Sequence, residues 1–451
     1  MGEGLVQIQP RDSYSLVEAN LRCLRKLQLT ESKSKSLSAV TMDATNFYTQ
    51  FDSVMGENIL NLVMGAPSES MLKMAASKFQ QATIARMEGE LPQWLMHYGA
   101  ESGDGKFLTA MATFLSEEYG APVAREDLVT TAGASMGLVL LANLLFTSSD
   151  LVFVENPTYF VATKVIGLDS GMTMVPVATD SGGINTDELE KALESKVGQR
   201  QRELTDRRPF WGMLYLVSTI HNPTGVSLTT ERCRRVVELA RKYNLLVVCD
   251  DVYNLLYFGD KPPHRLFQFD KKSDPDYKGN VVSNGTFSKV FGPGCRIGWL
   301  EAPKRVKEIV LSSGYMSSSG GWNHTMSGIM GSVINSGSLK EMLQIARPLY
   351  QEQCQMACEV LRTQLPGASF VEPHGGYFLW VRLPGNISGE EVAKRLKEQY
   401  NTLILNGSKC SITGDFKDCL RVTYSFNSKD RVRQGVENLV KVVKAMQAET
   451  A

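Results

Sequence analysis

One stretch decides the fold of this chain, Ser283-Asn-Gly-Thr-Phe-Ser-Lys289-Val-Phe-Gly-Pro-Gly-Cys-Arg296-Ile-Gly-Trp299. It contains a single lysine among small residues, and a Gly-Pro-Gly turn brings Arg296 back toward Lys289. The amine of Lys289 suits Schiff-base formation with a carbonyl group. The hydroxyls of Thr286 and Ser288 and the guanidinium of Arg296 suit a phosphate. Pyridoxal phosphate carries both groups. The alternative from these residues alone is a polar loop whose Lys and Arg face solvent.

Length and composition limit the class of protein. The chain has 451 residues, so we expect two domains or one large α/β domain with a smaller companion. Hydrophobic residues make up 43% and charged residues 21%, an ordinary soluble globular composition. The 48 basic and 48 acidic side chains cancel, which gives no net field to attract nucleic acid or an anionic membrane. No apolar run approaches the roughly 20 residues of a membrane span.

The cysteines and the N-terminus bear on the compartment. The eight Cys and five His show no zinc-binding spacing, and scattered Cys favour a reducing compartment over a disulfide framework. Ser15 to Leu29 has the apolar spacing of an amphipathic helix and lacks the apolar core of a secretory signal. We therefore expect a cytoplasmic protein, with a mitochondrial signal as the weaker alternative.

Several candidate ligand-binding residues follow predicted strands. After Val129 the chain runs through Gly133 into an apolar helix that reaches Leu145, so free N–H groups at the helix start favour an anion. Tyr159 follows the apolar strand that begins at Leu151 and is placed to stack on a planar ring. Gly-rich turns of this kind are common, so the phosphate interpretation depends on the other motifs.

Asn222 and Asp250 lie at the ends of two successive strands, where binding residues gather in open parallel sheets. For Asp250, Asp251 and Tyr253 the alternative is a helix N-cap with its neighbours, above all for Asp251.

Two earlier loops are less specific. Gly65 ends a short apolar strand, where a ligand can approach bare backbone, although a plain turn explains it equally well. Tyr98 lies in a glycine-rich loop before the helix Phe107 to Tyr119, and a packed, hydrogen-bonded tyrosine is the simpler interpretation.

Taken in order, these motifs resemble a known family. The motifs are Asn222-Pro-Thr-Gly225, Asp250-Asp-Val-Tyr253, Thr286-Phe-Ser-Lys289, Gly292-Pro-Gly-Cys-Arg296-Ile-Gly and Leu420-Arg421-Val-Thr-Tyr. Their order and spacing are similar to those of fold-type I pyridoxal-phosphate aminotransferases of class I/II, from about Asn58 to the C-terminus. Gly65-Ala-Pro67 and Gly375-Gly-Tyr-Phe-Leu-Trp380 resemble the 2-aminoadipate/kynurenine and aromatic aminotransferase subgroup.

The resemblance implies a role for each motif residue. Lys289 is expected to form the Schiff base and to move the proton. Asp250 is expected to pair with the pyridine nitrogen, and Asn222 and Tyr253 to hydrogen-bond the phenolic oxygen of the ring. Tyr159 is expected to stack on the ring. A depressed amine pKa and a protonated ring suit this chemistry.

The remaining implied roles concern the phosphate and the substrate. The phosphate is expected to bind four residues, Ala134, Ser135, Thr286 and Arg296. Tyr98 is expected to reach the phosphate of the partner subunit, and Arg421 to hold the substrate carboxylate with Asn222 and Gly65 close by. No metal is expected. Ala134, Thr219 and Met136 depart from residues frequent in the family, so the substrate cannot be copied from a relative.

The resemblance also implies architecture and activity. We expect an α/β fold with a large cofactor-binding domain, a mostly parallel central sheet in an α/β/α sandwich, and a smaller α+β domain. The expected limits are 1–57 for an N-terminal segment, 58–335 for the large domain and 336–451 for the small one.

The expected protein is a homodimer with shared active sites that moves an amino group from an α-amino acid to a 2-oxo acid such as 2-oxoglutarate. A pyridoxal-phosphate lyase or cyclase shares every cofactor residue and remains an alternative. A non-catalytic relative is disfavoured, because Lys289, Asp250, Asn222 and Arg421 are all present and no DNA-binding domain precedes Gly65.

Overall fold

The computed structural model describes residues 58–198, 203–319 and 321–450. The helix expected from Ser15 to Leu29 lies outside these ranges. The strands are β1 (Leu60–Leu62), β2 (Leu128–Thr131), β3 (Leu151–Asn156), β4 (Thr173–Asp180), β5 (Gly183–Ile184), β6 (Gly212–Leu216), β7 (Leu245–Asp250), β8 (Val281–Thr286), β9 (Gly298–Glu301), β10 (Phe378–Arg382), β11 (Thr402–Asn406) and β12 (Cys419–Thr423). The helices are α1 (Glu69–Glu88), α2 (Gly105–Tyr119), α3 (Ala134–Leu145), α4 (Phe160–Thr163), α5 (Thr186–Lys196), α6 (Thr230–Tyr243), α7 (Lys304–Leu311), α8 (Gly314–Ser319), α9 (His324–Asn335), α10 (Ser338–Gln364), α11 (Gly389–Tyr400) and α12 (Lys429–Thr450).

The larger sheet has the strand order β2-β9-β8-β7-β6-β3-β4-β5. Its centre, from β8 to β4, is parallel, while β9 runs antiparallel to both β8 and β2, and β5 pairs antiparallel with β4. The central strands are buried on both faces, as their nearly continuous apolar sequences predict. The mostly parallel central sheet expected from the sequence is therefore confirmed.

Successive residues of one strand serve two different cores. In β3, Val152 and Val154 join the cluster that contains Leu138 and Leu141 of α3. The intervening Phe153 joins the cluster formed with Leu189 of α5 and residues of α6. Because side chains alternate across a strand, helices cover both faces of the sheet, which gives the expected α/β/α layers.

The smaller sheet has the order β1-β11-β12-β10. Strand β12 is antiparallel to both of its neighbours, and β1 is parallel to β11. Helices α10, α11 and α12 contribute its apolar layer, with Leu396 and Val436 fully buried. The domain limits stay a prediction, but β1, which the sequence placed in the large domain, pairs in the sheet of the small one.

The region between the two sheets differs from expectation. The sequence from Pro303 to about Ser336 predicts one long helix with an irregular segment from Ser312 to Gly321. The structure has three helices, and α8 occupies most of the segment expected to be irregular. Gly321 has φ +94° and Asn323 has φ +53°, so the backbone leaves the right-handed helical region before α9.

Candidate active site

Three neighbouring strands bring the predicted residues to one edge of the large sheet. Strands β6, β7 and β8 lie side by side and parallel. Asp250 is the last residue of β7, Asn222 follows the end of β6, and Lys289 follows the end of β8. The carboxyl ends of parallel strands meet at one edge, so these side chains enter one cleft. The cleft is lined by Ala134, Ser135, Leu138, Tyr159, Val161, Ala162, Val165, Val217, Asn222, Asp250, Val252, Tyr253, Thr286, Ser288, Lys289, Pro293 and Arg296.

Lys289 projects its amine into the cleft. Its Nζ donates a hydrogen bond to the carbonyl oxygen of Gly65 at 2.8 Å. Burial, followed by the charge of Arg421, lowers the pKa of Lys289 to about 8, while the Asp250 carboxylate opposes the shift. The neutral fraction near neutral pH is therefore far larger than that of an ordinary lysine, and a neutral amine can act as a nucleophile or a base. Gly65 has no space for a side chain, because a Cβ there would lie 2.5 Å from the ring of Phe378.

Asp250 forms the acidic part of the cleft. Its Oδ2 accepts a hydrogen bond from the Tyr215 hydroxyl at 2.7 Å, and its Oδ1 accepts one from Asn284 Nδ2 at 3.3 Å. Burial raises the pKa of Asp250 to about 6, and the bond from Tyr215 partly opposes that shift. The neighbouring Asp251 accepts hydrogen bonds from the hydroxyls of Ser218 and Ser283 instead, and does not line the cleft.

The opposite end of the cleft is rich in donors. Helix α3 begins at Ala134. The N–H groups of Met136 and Gly137 donate to the carbonyl oxygen of Gly133, which leaves the N–H groups of Ala134 and Ser135 without a carbonyl partner in the helix. The hydroxyls of Thr286 and Ser288 are 2.9 Å apart, and Arg296 Nη1 lies 3.4 Å from Ser288 Oγ. Gly133 precedes the helix with φ +90°, and a Cβ there would lie 2.6 Å from Arg296 Nη2. A glycine is therefore needed to let the guanidinium reach the helix start.

Arg421, in β12 of the small sheet, is buried and contacts the cleft residue Asn222. Its Nη1 donates to Asn222 Oδ1 at 2.9 Å and its Nη2 donates to the carbonyl oxygen of Val63 at 2.6 Å. The guanidinium carbon lies 4.0 Å from the ring centroid of Phe378. Burial lowers the pKa of Arg421, which indicates that the charge has been taken out of water. A charge held this way suits a carboxylate that completes its hydrogen bonds.

The predicted tyrosines differ in position. Tyr159 and Tyr253 line the cleft, and burial raises the pKa of Tyr159 to about 12. The ring of Tyr253 packs edge-on against Phe378, with centroids 5.7 Å apart. Tyr98 is 81% exposed and does not line the cleft of its own chain.

Sequence reasoning missed two polar residues beneath Asp250. Tyr215 and Asn284 lie inside strands β6 and β8 and received no role. A polar side chain within an apolar strand is a weak signal, and only the register of the sheet reveals its partner. Ser288 was recognised as a phosphate-binding candidate, was then left out of the implied phosphate set, and lines the cleft. Within the described ranges, no cluster of His, Cys, Asp or Glu is arranged to hold a metal ion.

Comparison with known proteins decides the family. The model of the family "Aminotransferase class I and II" matches residues 57–439. The chain belongs to this family. It is a pyridoxal 5′-phosphate-dependent aminotransferase, as the resemblance implied.

Relatives and solved structures cover nearly all of this aminotransferase. An uncharacterised protein of Saccharomyces cerevisiae is 29% identical over 426 residues, which cover 84% of this chain and 95% of that protein. Aromatic-amino-acid aminotransferase 1 of Thermococcus litoralis is 24% identical over 436 residues, 95% of this chain and 99% of the relative. A crystal structure of Pyrococcus horikoshii kynurenine aminotransferase with PMP, KYN and KYA superimposes with a TM-score of 0.78 at 23% identity, covering 94% and 99% of the two chains. The fold-type I architecture is thus confirmed.

The residues of the cleft suit the cofactor. The free helix start at Ala134, the two hydroxyls and Arg296 form a donor set for a phosphate dianion. Asp250 offers a carboxylate to a protonated ring nitrogen, and Lys289 offers an amine to an aldehyde. In the part of the chain that the structure describes, no helix is long and apolar enough to cross a bilayer.

Proposed function

We propose that this enzyme transfers the amino group of an aminoadipate-, kynurenine- or aromatic-like α-amino acid to a 2-oxo acid such as 2-oxoglutarate. The observation that carries the proposal is that Lys289, Asp250 and Asn222 line one cleft and that Arg421 donates a hydrogen bond to Asn222. An amine, an acid and a carboxylate anchor are the groups that such a transfer requires. The activities named for two relatives, an aromatic-amino-acid aminotransferase and a kynurenine aminotransferase, support the aromatic and kynurenine-like classes.

When bound, pyridoxal phosphate supplies an electron sink that stabilises negative charge at the substrate Cα. Lys289 would hold the cofactor through its amine, and its neutral Nζ would accept the proton from the substrate Cα. Its lowered pKa supports that role, because a base works best when its pKa lies near the working pH. Lys289 is thus both the anchor and the proton carrier.

The charge of Asp250 would favour a proton on the ring nitrogen. Asn222 and Tyr253 would hold the phenolic oxygen of the ring, and Tyr159 would stack on the ring. All four side chains line the cleft, which supports these roles. The choice of Asp250 over Asp251 rests on the hydrogen bonds of Asp251 to two serines outside the cleft.

At the phosphate end, the N–H groups of Ala134 and Ser135 and the side chains of Ser135, Thr286 and Arg296 bind the dianion. Ala134 contributes no hydroxyl, and we assign Ser288 to the missing side-chain bond because it lines the cleft next to Arg296. At the substrate end, Arg421 binds the α-carboxylate as a bidentate fork.

We further propose a homodimer with shared sites. Around Tyr98, large apolar side chains are unusually exposed for so short a segment, namely Ile84, Met87, Leu91, Trp94 and Met96. Such a concentration is typical of an interface. In a two-fold dimer each chain would then offer Tyr98 to the phosphate of its partner. Cytoplasmic location stays a prediction.

A screen of amino donors with 2-oxoglutarate tests the activity. We expect glutamate to form together with a change in cofactor absorbance for acidic-chain, kynurenine-like or aromatic donors. A lyase or cyclase would consume the amino acid without a 2-oxo acid acceptor. The variant Lys289→Ala is the matched control, and it should lose turnover while keeping the fold.

Borohydride reduction and peptide mapping test the anchor. The reduced cofactor should be found on Lys289, and labelling of another lysine would overturn the assignment. The pair Asp250→Asn and Asp251→Asn tests the acid. Asp250→Asn loses a charge-assisted bond in a desolvated site. Its activation free energy should therefore rise by several kcal/mol. Near wild-type turnover of Asp250→Asn, with failure of Asp251→Asn, would show that the wrong carboxylate was chosen.

A further inference from the structure

Both oxygens of Asp250 are held by side chains that do not line the cleft. Tyr215 donates to Oδ2 at 2.7 Å, and Asn284 donates to Oδ1 at 3.3 Å. Tyr215 and Asn284 are fully buried, and only Asp250 reaches the cleft. Neither donor therefore touches a bound molecule directly, and Tyr215 acts on it only through the carboxylate.

The register of the sheet explains why these two residues meet Asp250. Asn284 pairs directly with Asp250 across β8 and β7. Tyr215 pairs with Val248, two residues before Asp250, and with Val154 on its other side. Side chains two apart share a face, so the phenol lies on the face of Asp250 between two valines. Its hydroxyl is aimed along the sheet at the carboxylate.

Asn284 also connects Asp250 to the phosphate end of the cleft. Its Nδ2 donates to the carbonyl oxygen of Ala134 at 2.9 Å. Helix α3 comes this close because residue 137 is a glycine, where a Cβ would lie 2.3 Å from Asn284 Oδ1. One amide thus relates the acid to the first turn of the helix.

The two donors oppose an electrostatic cost. Asp250 is buried, and burial of a carboxylate favours its neutral form. A neutral Asp250 would lose its attraction for a ring N–H⁺. Hydrogen bonds to the charged form partly offset this cost and also fix the direction of the carboxylate.

We propose that Tyr215 and Asn284 are positioning residues that keep Asp250 charged and aimed at the ring nitrogen of pyridoxal phosphate. The inference rests on the role proposed above for Asp250. Tyr215 and Asn284 both act on the ring nitrogen through Asp250. Asn284 also acts on the start of α3, through its hydrogen bond to Ala134.

The test compares two ligands that differ only at the ring nitrogen. Pyridoxal phosphate and its carbocyclic analogue, with C–H in place of the nitrogen, are bound to the cofactor-free protein, and affinity is measured by quenching of intrinsic fluorescence. We expect Tyr215→Phe to lower the affinity for pyridoxal phosphate by about tenfold, the effect of one hydrogen bond to a charged group. The analogue should bind both proteins equally. The preference for the nitrogen-containing ring is therefore the readout.

The matched control is Tyr424→Phe. Tyr424 is also fully buried and donates one hydrogen bond, to the carbonyl oxygen of Gly375 at 2.7 Å. It should leave the preference unchanged. Asn284→Ala should reduce the preference as well. It should also lower the affinity for both ligands, because it removes the hydrogen bond to the start of α3.

Asp250→Asn separates the role proposed for Asp250 from the positioning role proposed for Tyr215 and Asn284. If it leaves the preference unchanged, the proposed role of Asp250 is wrong. If it abolishes the preference while Tyr215→Phe keeps it, only the positioning inference is overturned. Equal weakening of the two ligands by Asn284→Ala, with no change in preference, would remove Asn284 from the pair.

Discussion

The amine of Lys289 lies among two guanidinium groups and one carboxylate, and burial is the largest influence on it. With a pKa of about 8, it is protonated below that pH and neutral above it. Only a neutral amine reacts with acetic anhydride. In cofactor-free protein we therefore expect Lys289 to reach half-maximal acetylation near pH 8, measured by mass spectrometry of its peptide.

Lys191 is the internal reference for this measurement. It is exposed, and its bond to Glu188 raises its pKa above 10.5. Its acetylation should therefore rise at a higher pH than that of Lys289. Coincident profiles for the two lysines would contradict the lowered pKa.

Arg421 makes a second prediction at the residue scale. Lysine keeps the charge but cannot form the two parallel bonds of a guanidinium. Arg421→Lys should lower the single-turnover efficiency with phenylalanine on the order of tenfold to a hundredfold, the effect of one charge-assisted hydrogen bond. Phenylethylamine, which lacks the carboxylate, should react with the two enzymes at similar, low efficiency.

Arg382→Lys is a control from the same sheet. Arg382 lies in β10, and its side chain is 52% exposed in an ion pair with Asp418. Its replacement should affect neither substrate. A similar loss for phenylalanine and phenylethylamine in Arg421→Lys would indicate a structural role for Arg421 instead of carboxylate binding.

The residues that the sequence revealed are those in short motifs with a fixed order. Lys289, Asp250 and Arg421 lie in such motifs. Each has a functional group with a recognisable role, namely an amine, an acid and a carboxylate anchor. Tyr215 and Asn284 escaped notice because their meaning depends on which residue lies opposite on the next strand. Alternation within a strand predicts a face, but register is set by contacts between distant segments.

At the scale of elements, the start of α3 depends on Gly133. An alanine there would be strained at φ +90°, and its Cβ would displace Arg296 from the helix start. We expect Gly133→Ala to lower the affinity for pyridoxal phosphate by about tenfold, the effect of one lost charge-assisted hydrogen bond. Pyridoxal, which lacks the phosphate, should bind almost as before when both affinities are measured by equilibrium dialysis.

Gly294→Ala is the neighbouring control. A Cβ at Gly294 would meet no atom within 4 Å, and the residue lies two positions before Arg296. It should bind both ligands normally. If Gly133→Ala weakened pyridoxal as much as pyridoxal phosphate, the damage would extend beyond the phosphate end.

Helices were easier to anticipate than pairings. The sequence from Glu231 to Tyr243 predicts a helix, and the structure has α6 there. Thr229 caps its first turn, and Asn244 ends the helix in the left-handed region. These signals are local. The pairing of Leu60 with Thr402 joins segments more than 300 residues apart, and the sequence near β1 contains no signal that predicts it. Local propensity thus predicted most elements but not the sheet to which β1 belongs.

At the scale of the whole molecule, the position of Tyr98 matters most. It is 81% exposed and does not line the cleft of its own chain, whereas the resemblance implies that it reaches the cleft of the partner subunit. The nearby Trp94 and Met96 are also exposed, at 52% and 68%. A second copy that covers this segment would bury these side chains and bring Tyr98 to another phosphate. The cleft would then be complete only in the dimer.

Complementation between two inactive chains tests this arrangement. A Lys289→Ala chain keeps a good Tyr98, and a Tyr98→Phe chain keeps a good Lys289. If Tyr98 serves the partner, a mixed dimer has one site with both residues and one with neither. We expect activity to rise above that of either parent as subunits exchange, measured by glutamate formation. Mere averaging of the parents, although heterodimers are seen by native mass spectrometry, would place Tyr98 in the site of its own chain, and an active monomer would exclude the shared site altogether.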